Sequence, residues 1–244
     1  MPHVKKERLS YRNDLVDDKT NFAASQALKN IRTNLLYNAA DSCPVYAVTS
    51  SQAGELKSTA LSNIAVSFAE LDKKILLIDA DMRSPSIHKI FKLTNRFGLS
   101  EIIAGIDGDR DSYVNKTEYK NLDVITSGKI PPNPAELLSH DNFRKFMSVM
   151  KKNYDFIFID LPPVGVVADP LVITDVVAGY IFVVRAEYDD KKSVKDSVAR
   201  MEQADAKIVG FVLTDVKNDE KSYGGYKNYG SYAEVKNSTD EGED

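Results

Sequence analysis

A stretch of small and polar residues holds the side chains best suited to bind phosphate. It reads SSQAGELKST (50–59), and it joins the apolar segment VYAVTS (45–50) to a segment with helical periodicity. Strand, loop, Lys-Ser and helix in this order typify a phosphate-binding loop, where backbone N–H groups and a helix N-terminus surround a phosphate. We therefore expect Lys57 to bridge the β- and γ-phosphates of a nucleotide and the Ser58 hydroxyl to hold Mg²⁺. The loop residues expected to line the nucleotide are Gly54, Glu55, Leu56, Lys57, Ser58 and Thr59.

Leu56 departs from this pattern, because glycine usually precedes the lysine. Glycine is used there since the backbone passes close to the phosphates, at dihedral angles that a Cβ disfavours. We expect the Leu56 Cβ to crowd the loop and to weaken nucleotide binding. Taken alone, the segment is also compatible with an ordinary strand-to-helix turn that carries a chance Lys-Ser pair.

Carboxylates end two further apolar segments. ILLIDADMRSP (75–85) brings Asp79 and Asp81, and FIFIDLPPV (156–164) brings Asp160. The carboxyl ends of neighbouring parallel strands meet at one crevice, and ionised carboxylates gathered there need a cation such as Mg²⁺. Aspartate also ends strands because it favours turns. Two such strand ends together with the Lys-Ser loop nevertheless favour a metal–nucleotide site.

The elements that must position these residues are apolar runs alternating with helical segments. Runs at 75–79, 122–128, 156–160, 180–186 and 207–216 are nearly continuous, as is typical of strands buried on both faces. We expect helices from near Asn21, from about Lys57, and after Asn133, where Pro134 takes the first helical position. The pattern predicts an α/β fold with a doubly wound, mostly parallel sheet and helices on both faces, as in P-loop NTPases.

Composition excludes several classes. The 244 residues carry a net charge of −4, which argues against a nucleic-acid binder. The single cysteine, Cys43, rules out an internal disulfide and fits a reducing cytoplasm. The first residues lack an apolar signal-peptide region, and no stretch approaches the roughly 18 apolar residues of a membrane span, so we expect no direct membrane insertion.

The last residues form a polar, tyrosine-rich segment. We expect a mobile N-terminal segment over 1–20, a catalytic domain over 21–216 and a disordered tail over 217–244. Four of the twelve tyrosines lie within ten residues of that tail, namely Tyr223, Tyr226, Tyr229 and Tyr232. Exposed tyrosines on a mobile chain can enter the active site of another subunit, and each phosphate adds about −1.5 to −2 charges. A low-complexity tail without chemistry is the alternative.

The motifs together resemble the bacterial tyrosine kinases of the capsular and exopolysaccharide type, within the MinD/ParA-like P-loop ATPases. SSQAGELKST looks like their Walker A motif, ILLIDADMR like Walker A′ and FIFIDLPP like Walker B. The segment SGKIPPNPAELLSHDNF (127–143) is similar to the one that precedes Walker B in these kinases, and KSYGGYKNYGSYAE (221–234) to their tyrosine cluster.

This resemblance implies an ATP-dependent protein-tyrosine autokinase that regulates capsular or exopolysaccharide synthesis and export, with ATP and Mg²⁺ as cofactors. Asp79 and Asp81 would activate the tyrosine hydroxyl and organise the metal, and Asp160 would lie in the metal's outer shell. Arg83 would stabilise charge near the site. Thr214 stands where the family often has an Asn close to the adenine. The tail tyrosines would be phosphorylated in trans by a neighbouring subunit.

The resemblance also implies partners. These are the cytoplasmic segment of a transmembrane activator or chain-length regulator, a tyrosine phosphatase, and further copies of the chain in a homo-oligomer or ring. The protein would be cytoplasmic and recruited to the inner face of the plasma membrane. Gln26 and Lys29, with Arg32, stand where the family usually has Glu-x-x-Arg-x-x-Arg for ring assembly. A pseudokinase scaffold, suggested by Leu56, and a ParA/MinD-like ATPase remain alternatives.

Overall fold

The computed structural model describes residues 15–16, 22–39, 42–106 and 113–216. The tail predicted over 217–244, with its four tyrosines, lies outside the described residues. The mobile segment predicted over 1–20 also lies outside them, apart from Leu15 and Val16.

The described strands form one seven-stranded sheet in the order β3-β4-β2-β5-β1-β6-β7. All neighbours pair in parallel except β3 and β4, which are antiparallel. The bounds are β1 Val45–Ser50, β2 Ile75–Asp79, β3 Asn115–Lys116, β4 Leu122–Ile125, β5 Phe156–Asp160, β6 Gly179–Arg185 and β7 Ile208–Thr214. Every residue of β1, β2, β4 and β5 is buried, as the continuous apolar runs predict.

Helices cover both faces of the sheet. Their bounds are α1 Phe22–Tyr37, α2 Lys57–Ala69, α3 Ile87–Ile90, α4 Leu99–Ala104, α5 Pro134–Ser139, α6 Asp141–Met150 and α7 Lys191–Gln203, with a 3₁₀ helix at Asp169–Ile173. Since strand side chains alternate between faces, the core has two parts. Tyr46 and Val48 of β1 pack in one core cluster with Phe68 of α2, whereas Val45 and Ala47 belong to a second cluster with residues of α6 and α7. The mostly parallel α/β fold predicted from the sequence is confirmed.

One strand is shorter than its apolar run suggests. The sequence predicts a strand over 122–128, but β4 ends at Ile125. The carbonyls of Thr126 and Ser127 instead accept hydrogen bonds from the N–H groups of Leu99 (2.8 Å) and Ser100 (3.0 Å) at the start of α4. Gly128 then turns the chain with φ 77°. The first four residues of the predicted strand therefore belong to the sheet, and the next two bind the start of α4.

Two elements have little sequence signal. β3 is only two residues long, and it forms the edge strand beside β4. α7 is mostly polar, with Ser197 and Met201 buried, and its start is fixed by Asp190, whose side chain accepts a hydrogen bond from Ser193 N at 2.8 Å. Among the described residues, no helix is long and apolar enough to cross a membrane.

Candidate active site

The phosphate loop lies at the carboxyl end of the central strand. β1 runs between β5 and β6 and ends at Ser50, and α2 begins at Lys57. The intervening loop opens on a cavity of about 310 Å³. Residues 53–59 line it together with Asp81, Arg83, Ser84, Ser86, Pro162, Pro163, Val166 and Val167. The structure thus brings together the loop, the end of β2 and the segment after β5, as the carboxyl-end rule predicts for a doubly wound sheet.

Lys57 lines this cavity and is held by two carboxylates. Its Nζ lies 2.8 Å from Asp81 Oδ2 and 3.3 Å from Asp160 Oδ1, and its side chain is 11% exposed. The Ser58 hydroxyl donates to the other Asp160 oxygen in a short hydrogen bond. Burial alone lowers the pKa of Lys57, but the charges of Asp160 and Asp81 outweigh it and raise the pKa above its ordinary value. The ammonium therefore stays charged and ready to pair with phosphate oxygens.

The two aspartates that follow β2 take different positions. Asp81 lines the cavity, and its Oδ1 accepts a hydrogen bond from Ser84 N at 3.0 Å. Asp79 is completely buried beside Asp160, and one of its oxygens accepts from the N–H groups of Ser86 (3.1 Å) and Ile87 (3.0 Å) at the start of α3. Its other oxygen, Oδ1, has no hydrogen-bond partner among the described residues.

Burial and mutual repulsion oppose full ionisation of the carboxylates of Asp79 and Asp160. Burial, and then the charge of Asp160, raises the pKa of Asp79 to about 8. Burial also raises the pKa of Asp160. A divalent cation fits this donor set, because it would relieve the repulsion and give Asp79 Oδ1 a partner, directly or through water. In the described part of the chain, no three His, Cys, Asp or Glu side chains are grouped so that they could hold a metal ion by themselves.

Leu56 adopts the conformation that the sequence argument attributes to glycine. Its φ is 63° and its ψ 25°, in the left-handed region, and it immediately precedes α2. A residue with a Cβ pays about 1–2 kcal/mol in this region relative to the right-handed one. Leu56 also lines the cavity, together with Lys57 and Ser58.

Residues that end or follow β6 and β7 hold three carbonyl groups of the loop. The Tyr188 hydroxyl lies 3.2 Å from Ala53 O, and Arg185 Nη1 donates to Gly54 O at 3.1 Å. The Arg185 guanidinium also stacks over the Tyr188 ring, 4.9 Å from its centroid. Thr214, expected near the adenine, donates its hydroxyl to Glu55 O at 2.9 Å.

Glu55 closes the loop on itself. Its carboxylate accepts from the N–H groups of Ser51 (3.1 Å) and Gln52 (2.9 Å), and only 1% of the residue is exposed. Burial, followed by a hydrogen bond with the Asp189 carboxyl, raises the pKa of Glu55 to about 7. Asp189 is fixed in turn by Arg185 N (2.7 Å) and Gln52 Nε2 (3.0 Å).

Arg83 lines the cavity and is oriented by Asp169, a residue that the sequence analysis did not identify. Its guanidinium makes a two-point ion pair with Asp169, at 2.8 and 2.9 Å. Asp169 is buried at the start of the 3₁₀ helix, which fixes the orientation of the arginine. The strand ends could have indicated Arg185, Tyr188 and Asp189, because they end or follow β6, the strand next to β1.

The arginine of the first helix is engaged within the chain. Arg32 donates to the carbonyl of Ser67 in the last turn of α2 and lies 3.3 Å from the Glu70 carboxylate. It therefore ties α1 to the end of α2. Gln26 and Lys29 lie on the same helix and are half-buried.

Comparison with known proteins places the chain among kinases. A family model described as "AAA domain" matches residues 19–196. The tyrosine-protein kinase CpsD of Streptococcus agalactiae is 35% identical over 222 residues, covering 90% of this chain and 96% of CpsD. The tyrosine-protein kinase YwqD of Bacillus subtilis is 34% identical over 203 residues, covering 83% and 85%.

Solved structures agree with these sequence relatives. The chimerical protein CapA2B2 superimposes with a TM-score of 0.76 at 34% identity, covering 81% of this chain and 86% of the chimera. The kinase domain of the Escherichia coli tyrosine kinase ETK gives 0.75 at 31% identity, covering 88% of each chain. MinD of Pyrococcus horikoshii gives 0.58 at 20% identity over 70% of each chain, which shows a shared fold.

Proposed function

The chain belongs to the bacterial tyrosine kinases of the capsule-synthesis type, and on that premise we propose that it is an autokinase that phosphorylates its own C-terminal tyrosines in trans. The observation that carries this proposal is the contact of Lys57, Ser58 and Asp81, which line one cavity beside the phosphate loop, with one another and with the buried carboxylate of Asp160. The substrates are Tyr223, Tyr226, Tyr229 and Tyr232, whose spacing and polar surroundings suit a strip that enters a neighbouring subunit.

The residues of the cavity divide the work of phosphoryl transfer. Lys57, freed from Asp81 and Asp160 by the incoming phosphates, neutralises the charge on the β- and γ-phosphates. Asp81 accepts the proton of the tyrosine hydroxyl while the phenolic oxygen bonds to the γ-phosphorus, and the bond from that phosphorus to the β–γ bridging oxygen breaks to leave ADP. Arg83, oriented by Asp169, stabilises charge at the rim of the cavity.

Magnesium suits the acidic side of the cavity. Mg²⁺ in nucleotide sites is usually held by one or two side chains together with substrate phosphates and water, and it neutralises the developing charge on the phosphates. The Ser58 hydroxyl would hold it directly, and the carboxylates of Asp79 and Asp160 would orient its water ligands. Asp79 Oδ1 has no hydrogen-bond partner among the described residues, and this supports the assignment.

The proposed kinase function also implies how the protein is regulated and where it acts in the cell. A partner with a cytoplasmic segment, of the transmembrane activator type, would switch the kinase on and recruit it to the inner face of the plasma membrane. A tyrosine phosphatase would reset the tail, and copies of the chain would associate for transfer in trans. The chimera named CapA2B2 supports the idea of a paired chain in this family.

A phosphotyrosine assay tests the proposal. The purified full chain is incubated with Mg-ATP, with and without the partner's cytoplasmic segment, and compared with a chain in which the four tail tyrosines are phenylalanine. Wild-type protein should gain phosphotyrosine, more so with the partner segment, and the phenylalanine variant should gain little. Equal labelling of the two proteins would place the target tyrosines elsewhere.

The left-handed Leu56 favours one second candidate, a pseudokinase scaffold that docks on the partner without turning over ATP. In that case wild-type protein would bind the partner segment, yet it would gain no phosphotyrosine even when saturated with that segment and Mg-ATP.

A further inference from the structure

Three consecutive carbonyl groups of the phosphate loop are held from the same side. Ala53 O accepts from Tyr188, Gly54 O from Arg185 and Glu55 O from Thr214, at 3.2, 3.1 and 2.9 Å respectively. The donors follow or end two neighbouring strands, β6 and β7. They are therefore anchored to the sheet, while the carbonyls belong to a loop outside it.

Because the peptide unit is planar, these contacts to the carbonyl groups also fix the direction of the neighbouring N–H groups. In a planar trans peptide, the C=O of one residue and the N–H of the next point in opposite directions. Fixing the carbonyls of residues 53, 54 and 55 thus directs the N–H groups of Gly54, Glu55 and Leu56 away from the β6–β7 side. Within the described part of the chain, no group accepts a hydrogen bond from these three N–H groups. The same three residues line the cavity that holds Lys57 and Ser58.

We infer that Arg185, Tyr188 and Thr214 are positioning residues that hold three consecutive amides of the loop ready to donate to a nucleotide's phosphates. The inference rests on the proposed nucleotide role of the loop. An apo loop held in this way need not reorganise when phosphate arrives, so the affinity for phosphate is higher than it would be for a free loop.

Thr214 carries the largest share of this effect. Its hydrogen bond is the shortest of the three, and its side chain is half-buried, so water replaces it poorly. The Tyr188 residue is 49% exposed, and a water molecule can take the place of its hydroxyl. Arg185 and Tyr188 also support each other through their ring contact.

This role differs from the contact with adenine expected for Thr214, and two ligands separate the roles. The test measures the Kd of Mg-ADP and of adenosine by competition with a fluorescent nucleotide analogue, for wild type, Thr214→Val and Thr214→Ser. We expect Thr214→Val to weaken Mg-ADP binding by about 5- to 10-fold, the loss of roughly one hydrogen bond, while adenosine binds as before. Thr214→Ser keeps the hydroxyl and should restore the wild-type Kd for Mg-ADP.

Each other outcome overturns the inference. If Thr214→Val loses the same factor for adenosine and for Mg-ADP, the side chain acts on the base or on the fold as a whole. If Thr214→Val binds Mg-ADP like wild type, the amides do not depend on it. If wild-type protein binds no Mg-ADP, the nucleotide role itself fails and the inference falls with it. Tyr188→Phe provides a second variant, with an expected loss of about twofold for Mg-ADP alone.

Discussion

Leu56, the residue before Lys57, has backbone dihedral angles in the left-handed region, where glycine is favoured. Its position next to the lysine already marks it in the sequence, because the motif normally has glycine there. The left-handed dihedral angles give the physical reason. The same strain occurs at Lys92, φ 54°, an exposed residue after α3 that is outside the residues lining the cavity. The two positions therefore form a matched pair for experiment.

Leu56→Gly should tighten Mg-ADP binding and stabilise the protein. Glycine accepts the left-handed conformation without the cost of about 1–2 kcal/mol, although its greater freedom in the unfolded chain offsets part of that gain. Calorimetric titration measures the affinity, and chemical denaturation measures the free energy of unfolding. Lys92→Gly should change stability alone. Affinity that stays equal or weakens after Leu56→Gly would show that the leucine does not obstruct the phosphates.

Glu55 gives the loop a dependence on pH. Its raised pKa, about 7 against an ordinary 4.5, means that the folded protein binds this proton more tightly than the unfolded chain does. Its stabilising effect is then fully present below about pH 4.5 and is lost as the pH rises through about 7. Glu55→Gln mimics the protonated form, because its amide can still accept from one loop N–H and can donate to Asp189.

The free energy of unfolding of Glu55→Gln should therefore rise relative to wild type as the pH increases from about 5 to about 8. Urea denaturation across that range measures the difference. Glu136→Gln, the same chemical change on the exposed side of α5, is the control and should run parallel to wild type. If the difference in unfolding free energy between Glu55→Gln and wild type stays constant with pH, the pKa of Glu55 is not raised in the folded protein.

At the scale of elements, most of the sheet follows from apolar runs, and the exceptions have physical causes. Fully buried strands such as β2 and β5 leave a clear pattern, and their order brings Asp79 and Asp160 to adjacent positions in register. By contrast, α7 is recognisable mainly by its capping Asp190, and β4 ends early because a helix start competes for the backbone of Thr126 and Ser127. Local patterns do not report such competition between distant segments.

Local sequence patterns are limited in the same way for the residues of the candidate active site. The strand-end rule identifies Lys57, Asp81 and Asp160, since each ends or follows a recognisable element. Asp169 could not be found in this way, because its role depends on a fold-dependent ion pair with Arg83, 86 residues away. The separation of Asp79 from the cavity also depends on tertiary structure, because α3 folds back onto its carboxylate.

Asp81→Asn tests whether the end of β2 supplies the catalytic base. Asparagine keeps the acceptor for Ser84 N, so the turn should survive, but it cannot take the proton of a tyrosine hydroxyl. Autophosphorylation should fall on the order of 10²-fold or more, while the protein stays folded. Quantitative phosphotyrosine blots measure the rate. Asp175→Asn, which removes an exposed ion pair with Arg144, is the control. Unchanged labelling in Asp81→Asn would remove Asp81 from the mechanism.

For the whole molecule, the question is how a catalytic cavity in one chain meets tyrosines at the end of another. The four tail tyrosines begin nine residues after Thr214, the last residue of β7. A polar, tyrosine-rich segment of this kind suits delivery to the active site of another subunit. If transfer occurs in trans, a chain with an inactive site is labelled by an active chain that lacks the tail.

The decisive measurement mixes two such chains. A full-length Lys57→Met chain cannot neutralise the phosphates, and a wild-type chain ending at Val216 carries none of the four tyrosines. The two are combined with Mg-ATP and the partner's cytoplasmic segment, and mass spectrometry locates the phosphate. Each chain alone, and a mixture in which the Lys57→Met chain also has four phenylalanines in its tail, are the controls. We expect phosphate on Tyr223, Tyr226, Tyr229 and Tyr232 of the Lys57→Met chain in the mixture alone. A mixture that leaves these four tyrosines unlabelled, while full-length wild type labels its own, would contradict transfer in trans.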